Sequence, residues 1–317
     1  MSNLTDFDKL KLFDIVEDVV YVAQGLVQVP GNLLILAALV HCKQLHCKEY
    51  VFPGGLAIAD LILGLSQLIN GLFRLYTETV ELARTNIPKL RCLSYPMPHL
   101  TLFGGFSVAN SLVLISVDRL IACISITNYS KLSTTFCLKT IYAEYGFCTL
   151  IYIGCIAATV LQTETETETE IACKLGKVLA KVPNSIYWNY QLAAGMLSVA
   201  IYMIALVCVR YLSVGNLSAV LQANRRRQLK VTKTLFYVVL YTMVMYTLPL
   251  FSIALLTAIK STWLHVIGPY FWIIMNMNSA NNIFIYLTKN VEIRQAVANL
   301  VRLKRTTTVT SIWTTAI

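Results

Sequence analysis

Two charged residues stand side by side at the end of a long apolar run. Asp118 and Arg119 follow Cys92 to Val117, a stretch whose only chargeable side chain is His99. A charge near the centre of a bilayer costs roughly 2.5–3.5 kcal/mol on insertion scales. At a membrane's edge the pair can bond to each other and reach water. The plain reading is that they end a helix; the rest of the chain decides between that and a functional role. Deeper polar residues raise the same question. Asp60 lies within Leu56-Ala57-Ile58-Ala59-Asp60-Leu61, Asn32 follows Pro30-Gly31, and Asn276, Asn278, Ser279, Asn281 and Asn282 precede Tyr286. Asn278 and Asn282 share a helix face. A carboxylate ringed by neutral oxygens suits a small cation such as sodium; a protonated, hydrogen-bonded Asp60 is the equal alternative.

Composition sets the solvent. The 317 residues are 56% hydrophobic and 13% charged, with mean hydropathy +0.63. Soluble domains carry about 25% charged residues, so lipid is the natural environment. The formal net charge of +10 could suit nucleic acid, but its distribution points to an anionic membrane surface and to no nucleic acid.

Uncharged runs of about 20 residues mark the elements that must position the polar groups. They are Val19–Val40, Val51–Phe73 broken by Asp60, Cys92–Val117, Tyr145–Gln162 with Glu144 at its foot, Val182–Val209, Leu235–Ile259 and Ser261–Thr288. Continuous apolar runs satisfy their backbone in lipid only as helices. The expectation is an all-α membrane protein, a seven-transmembrane helix bundle over 19–288. Only Lys260 and its neighbours separate the last two runs, which requires a tight turn. Pro249 bends the sixth helix by deleting one backbone hydrogen bond. Beyond the seventh, Ile293, Ala296, Val297, Leu300 and Val301 recur on one face, predicting a short amphipathic C-terminal helix on the membrane surface over 289–303. Residues 1–18 read as an extracellular tail without the basic start of a cleavable signal peptide, and 304–317 as a cytoplasmic tail.

Charge orients the bundle. The side holding the N-terminus and the loops at 74–91, 163–181 and 260 carries ten Lys and Arg against eleven acids; the other side carries sixteen Lys and Arg. The second is cytoplasmic by the positive-inside rule, with the plasma membrane the expected location. Of nine cysteines, only Cys92 and Cys173 then face the oxidising side, where a disulfide persists; two free thiols are the alternative. Asn3-Leu4-Thr5 is a glycosylation sequon on that side. The matches at Asn128 and Asn216 are cytoplasmic and stay bare. The Thr-Glu repeat between Gln162 and Glu170 reads as a solvated outer loop. The Thr-rich tail after Arg305 can take phosphates.

Together these motifs resemble the rhodopsin-like (class A) G protein-coupled receptors over nearly the whole chain. Gly31-Asn32 resembles the family's first-helix motif and Leu56-Ala57-Ile58-Ala59-Asp60 its second-helix motif. Asp118-Arg119-Leu120 resembles Asp-Arg-Tyr, and Asn282-Ile283-Phe284-Ile285-Tyr286 resembles the seventh-helix Asn-Pro-x-x-Tyr. Cys92 and Cys173 match the family's disulfide. The Asp-Arg-Leu-Ile-Ala string is similar to nematode serpentine chemoreceptors of the Srsx type. The resemblance implies that Arg119 meets a Gα subunit of a heterotrimeric G protein when the sixth helix swings out, and that Asp118 holds it at rest. Tyr202 and Tyr286 would stabilise the open form. Arg225, Arg226, Arg227, Lys230 and Lys233, at the cytoplasmic foot of the sixth helix, would serve coupling. Asn32, Asp60, Asn278, Ser279 and Asn282 would form a sodium-binding polar core. Arrestin and a receptor kinase would act at the tail. Departures are Leu120 for Tyr, Ile283 for Pro, Thr247 for the sixth helix's tryptophan, Val108 for serine in the polar core, and Leu229 for the acid that locks the arginine. They predict a weak resting lock and raised basal activity.

The resemblance places the ligand at Thr101, Gly105, Phe251, Ser252, Trp272 and Asn276. That wall is apolar and aromatic, suited to a small neutral molecule or to a short peptide reaching the acidic outer loop. No acid stands between Leu93 and Val117 for an amine, and Ser261–Thr288 has no lysine for a Schiff base. Rival classes fit less well. An intramembrane aspartyl protease needs two deep aspartates, and only Asp60 is deep. No His, Cys and Glu spacing suggests a metal site. No inverted repeat marks a transporter, and the charge distribution opposes a ligand-gated channel of reversed topology. The expectation is a receptor and not an enzyme.

Overall fold

The computed structural model describes residues 6–82, 85–124, 129, 131–163, 167–211, 236–261 and 263–301. Its main helices are α1 (Asp6–His41), α2 (Val51–Thr79), α3 (Pro96–Ile124), α4 (Thr134–Gln162), α5 (Lys181–Tyr211), α6 (Phe236–Ala258), α7 (Trp263–Lys289) and α8 (Val291–Val301). Among the described residues, α1 to α6 each contain a stretch long and apolar enough to cross a membrane. α7 runs for 27 residues, but four asparagines in its second half make it less apolar. Outward-facing side chains are large and apolar along the bundle, Leu150 and Leu161 of α4 and Met203 and Ile204 of α5 among them. Such a surface has lipid as its complement.

Several boundaries differ from the apolar runs. α1 starts at Asp6, not at Val19, so most of residues 1–18 is helix rather than tail. α3 continues past Val117 to Ile124, which sets Asp118 and Arg119 inside the helix instead of at its end. α4 starts at Thr134, where the Ser133 hydroxyl accepts the Phe136 amide at 3.1 Å and caps the first turn. Glu144 therefore lies within α4 and is buried. The Thr-Glu stretch is not a plain loop. Glu168–Glu170 forms β2, paired antiparallel with β1 (Asn86–Pro88), with Asn86 opposite Glu170. A strict two-residue alternation is the period of a strand, and it buries Thr169 while Glu168 stays exposed.

Packing explains which helices touch. α2 lies against α1 and α3, α3 against α5, and α7 against α1 and α6. α1 and α2 approach at glycines: a Cβ at Gly25 would sit 2.8 Å from the Leu68 Cα, and one at Gly71 2.8 Å from the Asp18 carbonyl. Small residues let membrane helices close up in this way. α6 contains a π-helical turn, Met243–Thr247, directly before Pro249. Proline has no N–H and its ring crowds the carbonyl four residues back. A wider turn moves those carbonyls aside. α6 ends in a tight reversal, with Lys260 at φ 50° and the Ser261 amide donating to Leu256 at 2.9 Å, a left-handed helix stop. Asn290 caps α8 by accepting the Ile293 amide at 3.1 Å. The apolar face of α8, Ile293, Ala296 and Val297, packs into the main core cluster beside α1, so it is covered by the bundle rather than by lipid alone.

Candidate functional site

Arg119 is the largest fully buried side chain, at 0% exposure. A guanidinium so placed requires compensation. Asp118 supplies it, accepting from Arg119 Nε at 2.9 Å and from Nη2 more closely still. Neither group reaches water as a membrane-edge pair would. The reason is Tyr129, also 0% exposed, which closes over them. Arg119 Nη2 donates to the Tyr129 hydroxyl at 3.0 Å, and the guanidinium carbon lies 5.8 Å from the ring centre. Burial raises the Tyr129 hydroxyl above its ordinary pKa, so it keeps its proton and faces Asp118 with it. Lys48, between α1 and α2, fixes Tyr129 from behind: it bonds the Tyr129 carbonyl and lies 4.5 Å over the ring. One guanidinium nitrogen, Nη1, is enclosed without a partner among the described residues. Tyr202 and Tyr286 are buried in the core cluster shared by α3, α5 and α7, and the Tyr286 hydroxyl is likewise unpartnered. Sequence reasoning missed Tyr129; nothing in a loop tyrosine's surroundings announces that it turns inward. Arg225, Arg226, Arg227, Lys230, Lys233 and Leu229, the sequon at Asn3, and the tail after Val301 lie outside the described residues.

A second polar group occupies mid-bundle. Asn282 donates to Asp60 Oδ2 at 2.8 Å, and Ser279 faces the same carboxyl. Asp60 Oδ1, Asn282 Oδ1 and both amide atoms of Asn278 are enclosed without partners among the described residues. Asn32 is buried but turns its amide to the Gln28 carbonyl at 3.0 Å. These unpaired oxygens fit the donor set a sodium ion or an ordered water would need. Val108, buried on α3, adds no oxygen. Further along α3, Ser111 donates to Glu144 at 2.7 Å, a deep acid that a reading of Glu144 as the foot of a span had set at the edge.

At the opposite end, Cys92 and Cys173 are disulfide-bonded, which ties the start of α3 to the segment before α5. Beneath the Cys173 segment lies a cavity of about 560 Å³. Thr101, Trp272 and Asn276 line it, as the sequence predicts. The other three predicted wall residues do not. Phe251 is 46% exposed and turned outward. Ser252 donates to the Leu248 carbonyl of its own helix. Gly105 is covered by Tyr187 and Gln191. Ile253 presents α6 to the cavity instead, next to Trp188 of α5.

The cavity is also more polar than an apolar wall. Its mouth holds Glu17 and Tyr21 of α1, Arg74 of α2 and Lys174. Arg74 lies 3.7 Å from Asp18 and 4.0 Å from Glu17, and donates to the Ala172 carbonyl at 3.3 Å. Lys174 pairs with Asp14 at 3.2 Å and Glu17 at 3.6 Å. This cluster joins α1, α2 and the disulfide segment. Its signal was present in the sequence: acids just before the first apolar run and a base just after the second meet when α1 and α2 pack antiparallel.

The chain is similar to melanocortin receptor 5 of Ovis aries, 27% identical over 133 residues, which are 41% of this chain and 40% of that receptor. The Rattus norvegicus melanocortin receptor 5 is 26% identical over 142 residues, 42% of this chain and 43% of the receptor. The chain thus spans about two fifths of the curated relatives it matches. Residues 26–301 match the family described as serpentine type 7TM GPCR chemoreceptor Srsx. A multi-pass helical protein with a buried Asp-Arg pair at one end and a disulfide-covered cavity at the other, the chain belongs to this chemoreceptor family, which is one of receptors and not of enzymes.

Proposed function

We propose that the protein is a seven-span receptor, α1 to α7, with its N-terminus outside the plasma membrane. An extracellular ligand enters the cavity under Cys173, and Arg119 engages a heterotrimeric G protein at the other end. The observation that carries this reading is the state of Arg119: wholly buried, held by its neighbour Asp118, closed over by Tyr129, and with its Nη1 nitrogen unpartnered among the described residues. A group that is expensive to bury and incompletely paired is poised to take a partner once uncovered. The cavity connects to it through α6. Ile253 touches the cavity on one side of the Met243–Thr247 π turn, while the Phe236 end lies on the other. A ligand with higher affinity for the outward-swung α6 shifts the population by that difference alone. Asp60, Asn278, Ser279 and Asn282 would hold a sodium ion in the closed form, and arrestin and a receptor kinase would meet the Thr-rich tail.

The test is a ligand screen in cells that carry a promiscuous Gα. The wild-type protein should yield agonists, and Arg119→Ala should lose the response at equal surface expression. A response retained by Arg119→Ala would remove the arginine from coupling.

A further inference from the structure

The cavity under the disulfide segment shows which chemistry it is built to take. Its charges are already matched. Glu17 serves Arg74 and Lys174, Asp14 serves Lys174, and Glu170 serves Lys177 at 2.7 Å. Its hydroxyls are matched too: Ser66 bonds Thr101 at 2.6 Å, and Asn70 donates to both. Two carboxamides remain. Gln67 of α2 borders the cavity, is 5% exposed, and has no partner among the described residues for either its Nε2 or its Oε1. Asn276 of α7 borders it as well. Its backbone carbonyl accepts Gln28 at 2.9 Å, but its side chain bonds nothing among the described residues. Beside them Trp188 and Trp272 meet edge to face, 4.7 Å apart.

The unpaired buried amide of Gln67 is costly, and a ligand that pairs it recovers that cost, while half-buried Asn276 offers a second amide beside it. A carboxamide side chain offers a donor next to an acceptor, so its full complement is an acceptor next to a donor. A carboxylate supplies no donor and an ammonium no acceptor. Either would also bring a charge that must compete with ion pairs already made. We propose that the ligand is an uncharged flat-ring molecule with an amide edge, a carboxamide or ring lactam, bonded by Gln67 and Asn276 with its ring on Trp272 and Trp188. The side chain of Gln67 has three torsions with which to turn its amide into the cavity. This inference rests on the receptor reading above and names the chemistry of that site.

Thermal unfolding of the purified full chain in nanodiscs tests it without a G protein. The probes are benzamide, nicotinamide and 2-pyridone, compared with benzoate and benzylamine, all at millimolar concentration. The amide probes should raise the Tm and the two ions should not. Gln67→Leu and Asn276→Leu should each weaken half-saturation about tenfold or more, since a site built for hydrogen bonds loses them outright. If either leucine variant fails to fold, Gln67→Glu and Asn276→Asp keep size while removing the donor, and should weaken binding likewise. Equal or stronger stabilisation by benzoate or benzylamine, no stabilisation by any amide probe, or unchanged half-saturation in the variants would each overturn the proposal. A protein that binds the amides yet activates no Gα would sink the receptor reading alone. One that activates Gα while ignoring them would sink only the amide assignment.

Discussion

Arg119 shows what one buried charge can be asked to do. Its pairing with Asp118 could be expected from the sequence, because adjacent opposite charges after a charge-free run must answer each other. The lid over it could not. Tyr129 stands ten residues on, in a stretch with no periodicity to place it. If Tyr129 helps to hold the closed form, Tyr129→Phe removes one hydrogen bond to the guanidinium, worth about 1.5–3 kcal/mol when a charged group is involved. Part of that loss falls on the open form too, so ligand-independent signalling should rise severalfold rather than by the full equivalent, as read by a reporter of basal activity at matched expression. Unchanged basal signalling would make Tyr129 a packing residue only. The deep polar set gives a second expectation. If Asp60 and its amides hold sodium in the closed form, raising sodium should lower agonist affinity in the wild type and leave Asp60→Asn unaffected. Equal sodium dependence in both would reject that site.

Elements were legible where one signal dominated. Long apolar runs marked where α2, α5 and α6 lie, and Pro249 marked where α6 departs from a regular α-helix. The π turn itself was not legible, since it is the backbone's way of accommodating the proline and no residue type specifies it. The expected ends of α1, α3 and α4 differ from the observed ones for one reason: a charged residue reads as the stop of a span, whereas Glu17 is buried against Arg74 of α2, Asp118 pairs with Arg119 beside it under Tyr129, and Glu144 accepts from Ser111 of α3. The Thr-Glu ribbon was hidden by composition, its acids suggesting a solvated loop while its period suggested a strand. Two predictions belong at this scale. Gly25→Val would force a side chain into the α2 backbone, an overpacking cost of about 1–3 kcal/mol, and should lower the Tm and surface expression. Pro249→Ala should relax the π turn, stiffen the pivot and reduce the maximal agonist response while cavity binding persists; an undiminished response would separate the bend from activation.

The whole molecule is organised as two polar ends joined by an apolar bundle. At one end the Cys92–Cys173 bond and the Arg74 cluster hold a roof over the cavity; at the other Lys48 and Tyr129 cover Arg119. The Asp118-Arg119 pairing was legible because it is local in the chain, whereas its burial inside α3 was not. Sequence alone placed Thr101, Trp272 and Asn276 on the cavity but not Phe251, Ser252 or Gly105, because which face of a helix turns inward is settled by packing that no local motif states. The orientation argued from charge is open to direct check: an antibody to an N-terminal tag should bind intact cells, and binding only after permeabilisation would invert the assignment. The central claim, that Arg119 held by Asp118 is the switch for a G protein, needs no ligand to test. The decisive measurement is guanine-nucleotide exchange on a panel of purified Gα heterotrimers by the protein in nanodiscs. Asp118→Asn should accelerate exchange above wild type, and the double variant Asp118→Asn with Arg119→Ala should return it to the rate without receptor. Acceleration that survives loss of the arginine, or no acceleration from Asp118→Asn on any Gα, would contradict the account.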